Sequence, residues 1–157
     1  MQEPFRHAAG SAGEPVPTVI SLFVRVSRLM VEDLLERLRA AGYENISFSA
    51  HQVFESLPPG GARLTTLAAG LAVTHQSVGE VVADLERRDL LARVPDPLDR
   101  RARLIVLTDR GRELVRIALA EIEDIERTWS DRLAAAGLSG DLGAALSAVV
   151  DEGRPVR

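Results

Sequence analysis

The hydrophobic repeat of this 157-residue chain changes period near its middle, and that change narrows what the middle can fold into. From Thr74 to Arg88 the apolar residues Val78, Val81, Val82 and Leu85 return at steps of three, one and three, which puts them on one face of a helix. Thr74 is placed to cap that helix, and Asp89 ends it. From Leu90 the pattern is that of extended chain. Leu91-Ala92-Arg93-Val94 reads as a short strand, Asp96-Pro97-Leu98-Asp99 is rich in turn residues, and Arg103 to Leu107 reads as a second strand. Upstream, Thr65 starts a short helix whose first backbone N–H groups its hydroxyl can cap. Leu67, Ala68 and Leu71 form the buried face of that helix, and Ala72-Val73 turns the chain.

Two short helices across a tight turn, followed by a β-hairpin, make a winged helix-turn-helix. The second helix of such a pair fits the major groove of DNA, where each base pair shows its own donor and acceptor pattern. Basic residues at the hairpin tip can reach phosphates or the minor groove. The charge distribution agrees. Residues 1–62 hold five Arg and seven acids, residues 63–112 nine Arg and seven acids, and residues 113–157 five Arg and nine acids. Only the middle third is basic, although the whole chain carries a net charge of −4.

The flanks read as scaffold. Thr18 to Ala41 is a long amphipathic helix, with Val19, Leu22, Phe23, Val26, Leu29, Met30, Leu34 and Leu38 at helical spacing and Gly42 as its stop. Ser49 to Leu57 is a second helix, ended by Pro58-Pro59-Gly60-Gly61. Thr108 caps a long helix whose Leu114, Ala118, Ile122, Ile125, Trp129 and Leu133 approach a coiled-coil seam. Gly137 stops it, and Leu138 to Val150 is a last helix with Leu142, Leu146 and Val149 on one side. The fold class expected is mainly α with a small β-hairpin wing. The division is a flexible arm over 1–17, scaffold and dimerisation helices over 18–62, the winged helix-turn-helix over 63–108, and dimerisation helices over 109–157.

Residues 63–112 resemble the MarR (multiple-antibiotic-resistance regulator) family. Leu67-Ala68 opens the first helix of the pair, Thr74-His75-Gln76-Ser77-Val78 opens the reading helix, and Leu85-Glu86-Arg87-Arg88 closes it before Leu90. Asp99-Arg100-Arg101-Ala102-Arg103-Leu104-Ile105-Val106-Leu107-Thr108, then Gly111, is similar to the family's DxRxxxxxLT wing and the Gly just inside the next helix. Ala72 and Asp89 stand where the family often has Gly, and Asp tolerates a left-handed backbone better than most residues. Gly70 and Gly79 sit inside the motif helices, each at a cost of about 1 kcal/mol against Ala. The resemblance implies a triangular homodimer built by the first, fifth and sixth helices, a palindromic operator in double-stranded DNA, and an effector pocket for a small, often aromatic, molecule.

The candidate DNA-binding residues are Thr65, Thr74, His75, Gln76, Ser77, Arg87, Arg88, Arg100, Arg101 and Arg103. Gln suits adenine edges and His guanine edges, and the sequence leaves that pairing open. Asp99 and Arg101 can instead pair to shape the hairpin, and Arg103 is either a phosphate contact or a solvated strand residue. The reading helix carries Glu80 and Asp84 with no Arg before Arg87, so phosphate contact falls to the wing and to Arg87 and Arg88. His51 reads as a structural or surface histidine and is also the one candidate effector contact. Trp129 belongs to core or interface, or walls a ligand pocket.

Other functions find no residues to carry them. The chain has no cysteine, which excludes disulfides, thiolate metal sites and thiol sensing. No HxxxH or HExxH spacing supports zinc, and no GxSxG, P-loop or GxGxxG supports catalysis or a nucleotide cofactor. Asp96 and Asp99 are explained by the turn. No cofactor, metal, enzymatic activity or membrane partner is expected, and the first residues lack the apolar core of a signal peptide, so the expected location is the cytoplasm. The favoured reading is a ligand-responsive transcription regulator of the repressor type. The alternative is a protein-interaction module on the same fold, favoured by the acidic residues of the reading helix.

Overall fold

The computed structural model describes residues 17–138 and 140–152. The arm expected over 1–17 lies, Pro17 aside, outside the described residues. The elements are α1 (Val19–Ala40), α2 (Phe48–Glu55), α3 (Leu64–Gly70), α4 (His75–Arg87), β1 (Leu91–Asp96), β2 (Asp99–Leu107), α5 (Asp109–Ala135) and α6 (Leu142–Glu152). This is a mainly helical fold with a two-stranded antiparallel wing.

Helix starts follow hydroxyl caps. Thr18, Ser47, Thr74 and Thr108 each accept a backbone N–H three residues on, at 3.0–3.2 Å. The exception is α3. Its N-cap is Arg63, which makes no side-chain cap bond, and Thr65 lies exposed within the first turn. The expected cap by Thr65 is therefore corrected: the helix starts earlier, because the Arg63 carbonyl already accepts from Thr66 and Leu67.

The core forms where α2, α3, α4 and the wing meet the start of α5. Val53, Leu67, Val78, Val82, Leu85, Leu90, Ile105 and Leu114 are its largest fully buried side chains. Burying a Leu or Val fully stabilises by about 1.5–3 kcal/mol, so this cluster holds α4 in place by its inner face. Leu34 and Leu38 extend the core to α1. On the α1–α5 contact Arg37 donates to Asp33 at 3.0 Å, Glu121 at 3.0 Å and Asp124 at 2.8 Å. Hydrogen bonding to Arg37 holds the Asp124 carboxyl below its ordinary range. Much of the remaining apolar surface of α1 and α6 is uncovered: Ile20 is 77% and Val150 74% exposed.

The hairpin is longer than the alternation indicates, and its turn is shorter. β1 runs through Pro95 to Asp96, β2 starts at Asp99, and only Pro97 and Leu98 connect them. Pairing runs from Leu91↔Leu107 to Pro95↔Arg103 and then shifts to Asp96↔Asp99. Residues 100–102 therefore have no partner across the strand and bulge at the tip. Ala62 adds a one-residue bridge on the other side of β2, bonding Ile105 at 3.0 and 2.8 Å. α6 starts at Leu142, not at Leu138, since Gly137 and Gly140 take positive φ.

Two left-handed residues make the sharp bends around α4. Ala72 and Asp89 both have φ of 54°. Immediately beyond, Gly111 packs its backbone against the Leu90 carbonyl, and any Cβ there would run into that oxygen. Gly79 in mid-helix has only Leu64 at 3.8 Å from where a Cβ would stand. Gly111→Ala should thus destabilise the fold by about 1–3 kcal/mol through overpacking. Gly79→Ala should stabilise it by up to about 1 kcal/mol through helix propensity. Urea unfolding at one fixed protein concentration measures both, and equal effects from the two would contradict this packing.

Candidate nucleic-acid interface

The inner face of α4 is fixed by Val78, Val82 and Leu85, so its outer face is fixed too. Gln76, Glu80, Ala83 and Arg87 recur at steps of four, three and four and are all exposed. Thr74, His75, Gln76 and Ser77 crowd the exposed start of the helix, where unpaired backbone N–H groups give a partial positive charge. No acidic residue lies in that first turn. Thr74 and Ser77 are partly engaged with each other: the Thr74 hydroxyl accepts from the Ser77 backbone at 3.1 Å, and the two hydroxyls stand 2.8 Å apart. Gln76 Nε2 donates to Glu80 Oε1 at 3.1 Å, and Arg87 pairs with Asp84 at 2.7 Å. Exposed pairs of this kind contribute little to stability.

The two arginines at the end of α4 differ. Arg87 stays on the surface, with its side chain 76% exposed. Arg88 is partly covered and donates to the Glu44 and Asn45 carbonyls, tying α4 to the α1–α2 connection. Arg93 on β1 reaches back to Glu86 at 3.4 Å.

At the wing, Arg100, Arg101 and Arg103 are exposed, and none forms an ion pair among the described residues. Asp99 accepts the backbone N–H of Arg101 at 3.1 Å, so the hairpin is shaped by that bond and not by an Asp99–Arg101 ion pair. The shaping cation is Arg63, which nothing in its sequence neighbourhood marks out. Its Nε and Nη2 reach Asp96 Oδ2 at 2.8 and 2.6 Å, and Nη2 stands 3.7 Å from Asp99. Asp96 is a buried charged residue, and its Oδ1 accepts from Leu98 N at 2.8 Å. That backbone bond and Arg63 hold its carboxyl below the ordinary range. The turn is therefore clamped to the start of α3. No local signal could reveal this, because the partners are 33 residues apart.

His51 lies on α2, with Nε2 3.7 Å from Glu55 and its ring 6.3 Å from that of Phe48. A groove of about 450 Å³ runs beside it, lined by Val24, Ser27, Arg28, Val31, Glu32, Leu35 and Phe48, and His51 is not among its walls. Trp129 packs half-buried against the core, with Arg132 over its ring at 5.3 Å. A second groove of about 530 Å³, mostly apolar, lies between α1, the end of α5 and α6. Among the described residues no cluster of side chains could hold a metal ion, and no helix is long and apolar enough to cross a membrane.

Residues 46–102, which take in α4 and most of the wing, match the model of the MarR family. The fold is similar to that of Rv1404 from Mycobacterium tuberculosis, at 29% identity over 93% of this chain and 100% of that one, with a TM-score of 0.66. It is also similar to CouR from Rhodococcus jostii RHA1, solved with p-coumaroyl-CoA, at 22% identity over 85% and 87% of the two chains and a TM-score of 0.66. CouR on a 23-mer DNA duplex aligns at 23% identity over 87% and 93%, again with a TM-score of 0.66. No curated protein sequence matches the chain.

The Arg63–Asp96 clamp has a pH signature. A carboxyl whose folded pKa is depressed stabilises the fold above its ordinary range, and that contribution is lost as pH falls through the folded value. Asp96→Asn should lower the melting temperature at neutral pH, and the gap to the parent protein should close as pH falls below about 4. A gap independent of pH would show that the charge of Asp96 does not hold the wing.

Proposed function

We propose that this chain is a transcription regulator of the MarR family, whose model it matches over residues 46–102, and a cytoplasmic repressor that binds a palindromic operator as a homodimer and is released by a small aromatic effector. The observation that carries the reading is the pairing of two surfaces. The exposed stripe of α4 is held from behind by the core, and three arginines without ion pairs among the described residues stand on the wing beside it. A helix of this width enters the major groove, and guanidinium groups on a bulged tip suit the flanking phosphates or minor groove. CouR, with the same fold, has been solved on DNA and with an acyl-CoA ligand, which supports both halves of the proposal.

Residues 63–108 form the reading module. His75, Gln76 and Ser77 address base edges or phosphates, and Thr65, Thr74 and Arg87 border the same face. Arg100, Arg101 and Arg103 engage the backbone. Arg88 contributes through the position of α4, given its two carbonyl partners. The stretches 18–62 and 109–157 supply the dimer. Their support is the uncovered apolar face of α1 and α6 and the groove between them, surface that a second copy covers most economically. The effector fits the groove along α1, where Phe48 and Leu35 offer apolar contact and Arg28 a charge. His51 is not a wall of that groove, and its ring stands 6.3 Å from that of Phe48, which is.

The second reading, a protein-interaction module, is favoured by Glu80 and Asp84 on the candidate reading helix. A gel-shift panel with DNA from upstream of its own gene separates the two, since an interaction module would shift none of it. The wing gives a quantitative check. Replacing Arg100 and Arg101 by Ala should weaken binding without unfolding. It should also flatten the dependence of log K on log salt by about one unit for each phosphate the variant no longer neutralises. Unchanged affinity and slope would remove the wing from the mechanism. Light scattering at micromolar concentration should give the mass of two chains, and the mass of one would contradict the dimer.

A further inference from the structure

The outward stripe of α4 presents oxygen atoms. Gln76 donates its Nε2 to Glu80 Oε1 at 3.1 Å. An ionised carboxylate has no hydrogen to give, so the amide must turn its nitrogen to Glu80, which leaves Gln76 Oε1 to accept. No donor occupies that oxygen among the described residues. Arg87 is drawn to Asp84. From Gln76 to Ala83 the stripe therefore offers acceptors: Gln76 Oε1 and the remaining lone pairs of Glu80.

Acceptors select among bases. In the major groove guanine shows N7 and O6 and thymine shows O4, all acceptors that repel a carboxylate. Adenine shows its N6 amino group beside the N7 acceptor. Cytosine shows the N4 amino group with no acceptor on the same edge. We propose that Glu80 is the specificity-determining residue of this helix, that it accepts the N4 amino group of a cytosine in each half-site, and that Gln76 orients its carboxylate.

This rests on reading α4 as the DNA-recognition helix. Phosphates oppose a carboxylate in the groove on every sequence, and only a suitably placed amino group offsets that repulsion. Glu80 thereby weakens binding to DNA at large and sharpens the choice of site.

The test is selection of bound sites from a random duplex pool with the full chain, its Glu80→Ala variant and its Glu80→Arg variant. Glu80 is exposed and Ala favours helix, so the variants keep the fold, which thermal melting checks. The parent protein should enrich a site with cytosine at one position of each half. Glu80→Ala should keep the rest of that site, lose about tenfold of the preference for cytosine there, and bind scrambled DNA more tightly. Glu80→Arg should move the preference at that position to guanine, whose O6 and N7 suit a guanidinium. If the parent enriches a site and both variants enrich the same one, this inference fails while the DNA-reading function stands. If the parent enriches no sequence, the function fails and this inference with it.

Discussion

Around Leu90 the end of α4, the start of β1, the end of β2 and the start of α5 are tied by a few atoms. The Leu90 carbonyl accepts from Thr108 N at 3.2 Å. The Thr108 hydroxyl donates to the Asp89 carbonyl at 2.6 Å and accepts from Gly111 N at 3.0 Å, which uses its one hydrogen and one of its lone pairs. Gly111 has to lack a side chain for α5 to come this close. Asp89 has to be left-handed for the chain to leave α4 towards the sheet. The helix α4, the wing and the long helix α5 consequently share one anchor.

The second constraint is electrostatic. With a net charge of −4, the chain as a whole is repelled by DNA, and attraction has to be local. Many arginines of the described residues are engaged internally. Arg37 joins α1 to α5, Arg63 clamps the turn, Arg88 holds the α1–α2 connection, and Arg93 ties β1 to α4. At the wing, by contrast, a bulge and a clamped turn keep Arg100 and Arg101 projecting. Under the proposed function the acidic outer face of α4 fits beside such a wing: the wing would supply affinity and α4 would discriminate.

The architecture is legible in the sequence because its signals are local. The stripe of Val78, Val82 and Leu85 and the caps at Thr74 and Thr108 each depend on neighbours within a few positions. Asp89 bends as its tolerance of positive φ implies. What the sequence conceals depends on partners distant in the chain. Thr65 resembles a cap because nothing nearby distinguishes it from Arg63. The clamp on Asp96 and the carbonyl contacts of Arg88 join positions 33 to 44 residues apart. The alternation understates the wing because Pro95 interrupts it, although an edge strand accepts a proline that donates no ladder bond.

Two copies of α4 and its wing should approach one face of a duplex together. Footprinting on a bound duplex tests this most directly, with hydroxyl radicals for the backbone and a guanine N7 probe for the major groove. The expected result is two symmetric protected patches centred about 10 base pairs, or a whole multiple of that, apart, each with major-groove protection flanked by a protected backbone segment. A single unsymmetrical patch, or protection of the backbone with every guanine N7 left open, would contradict it.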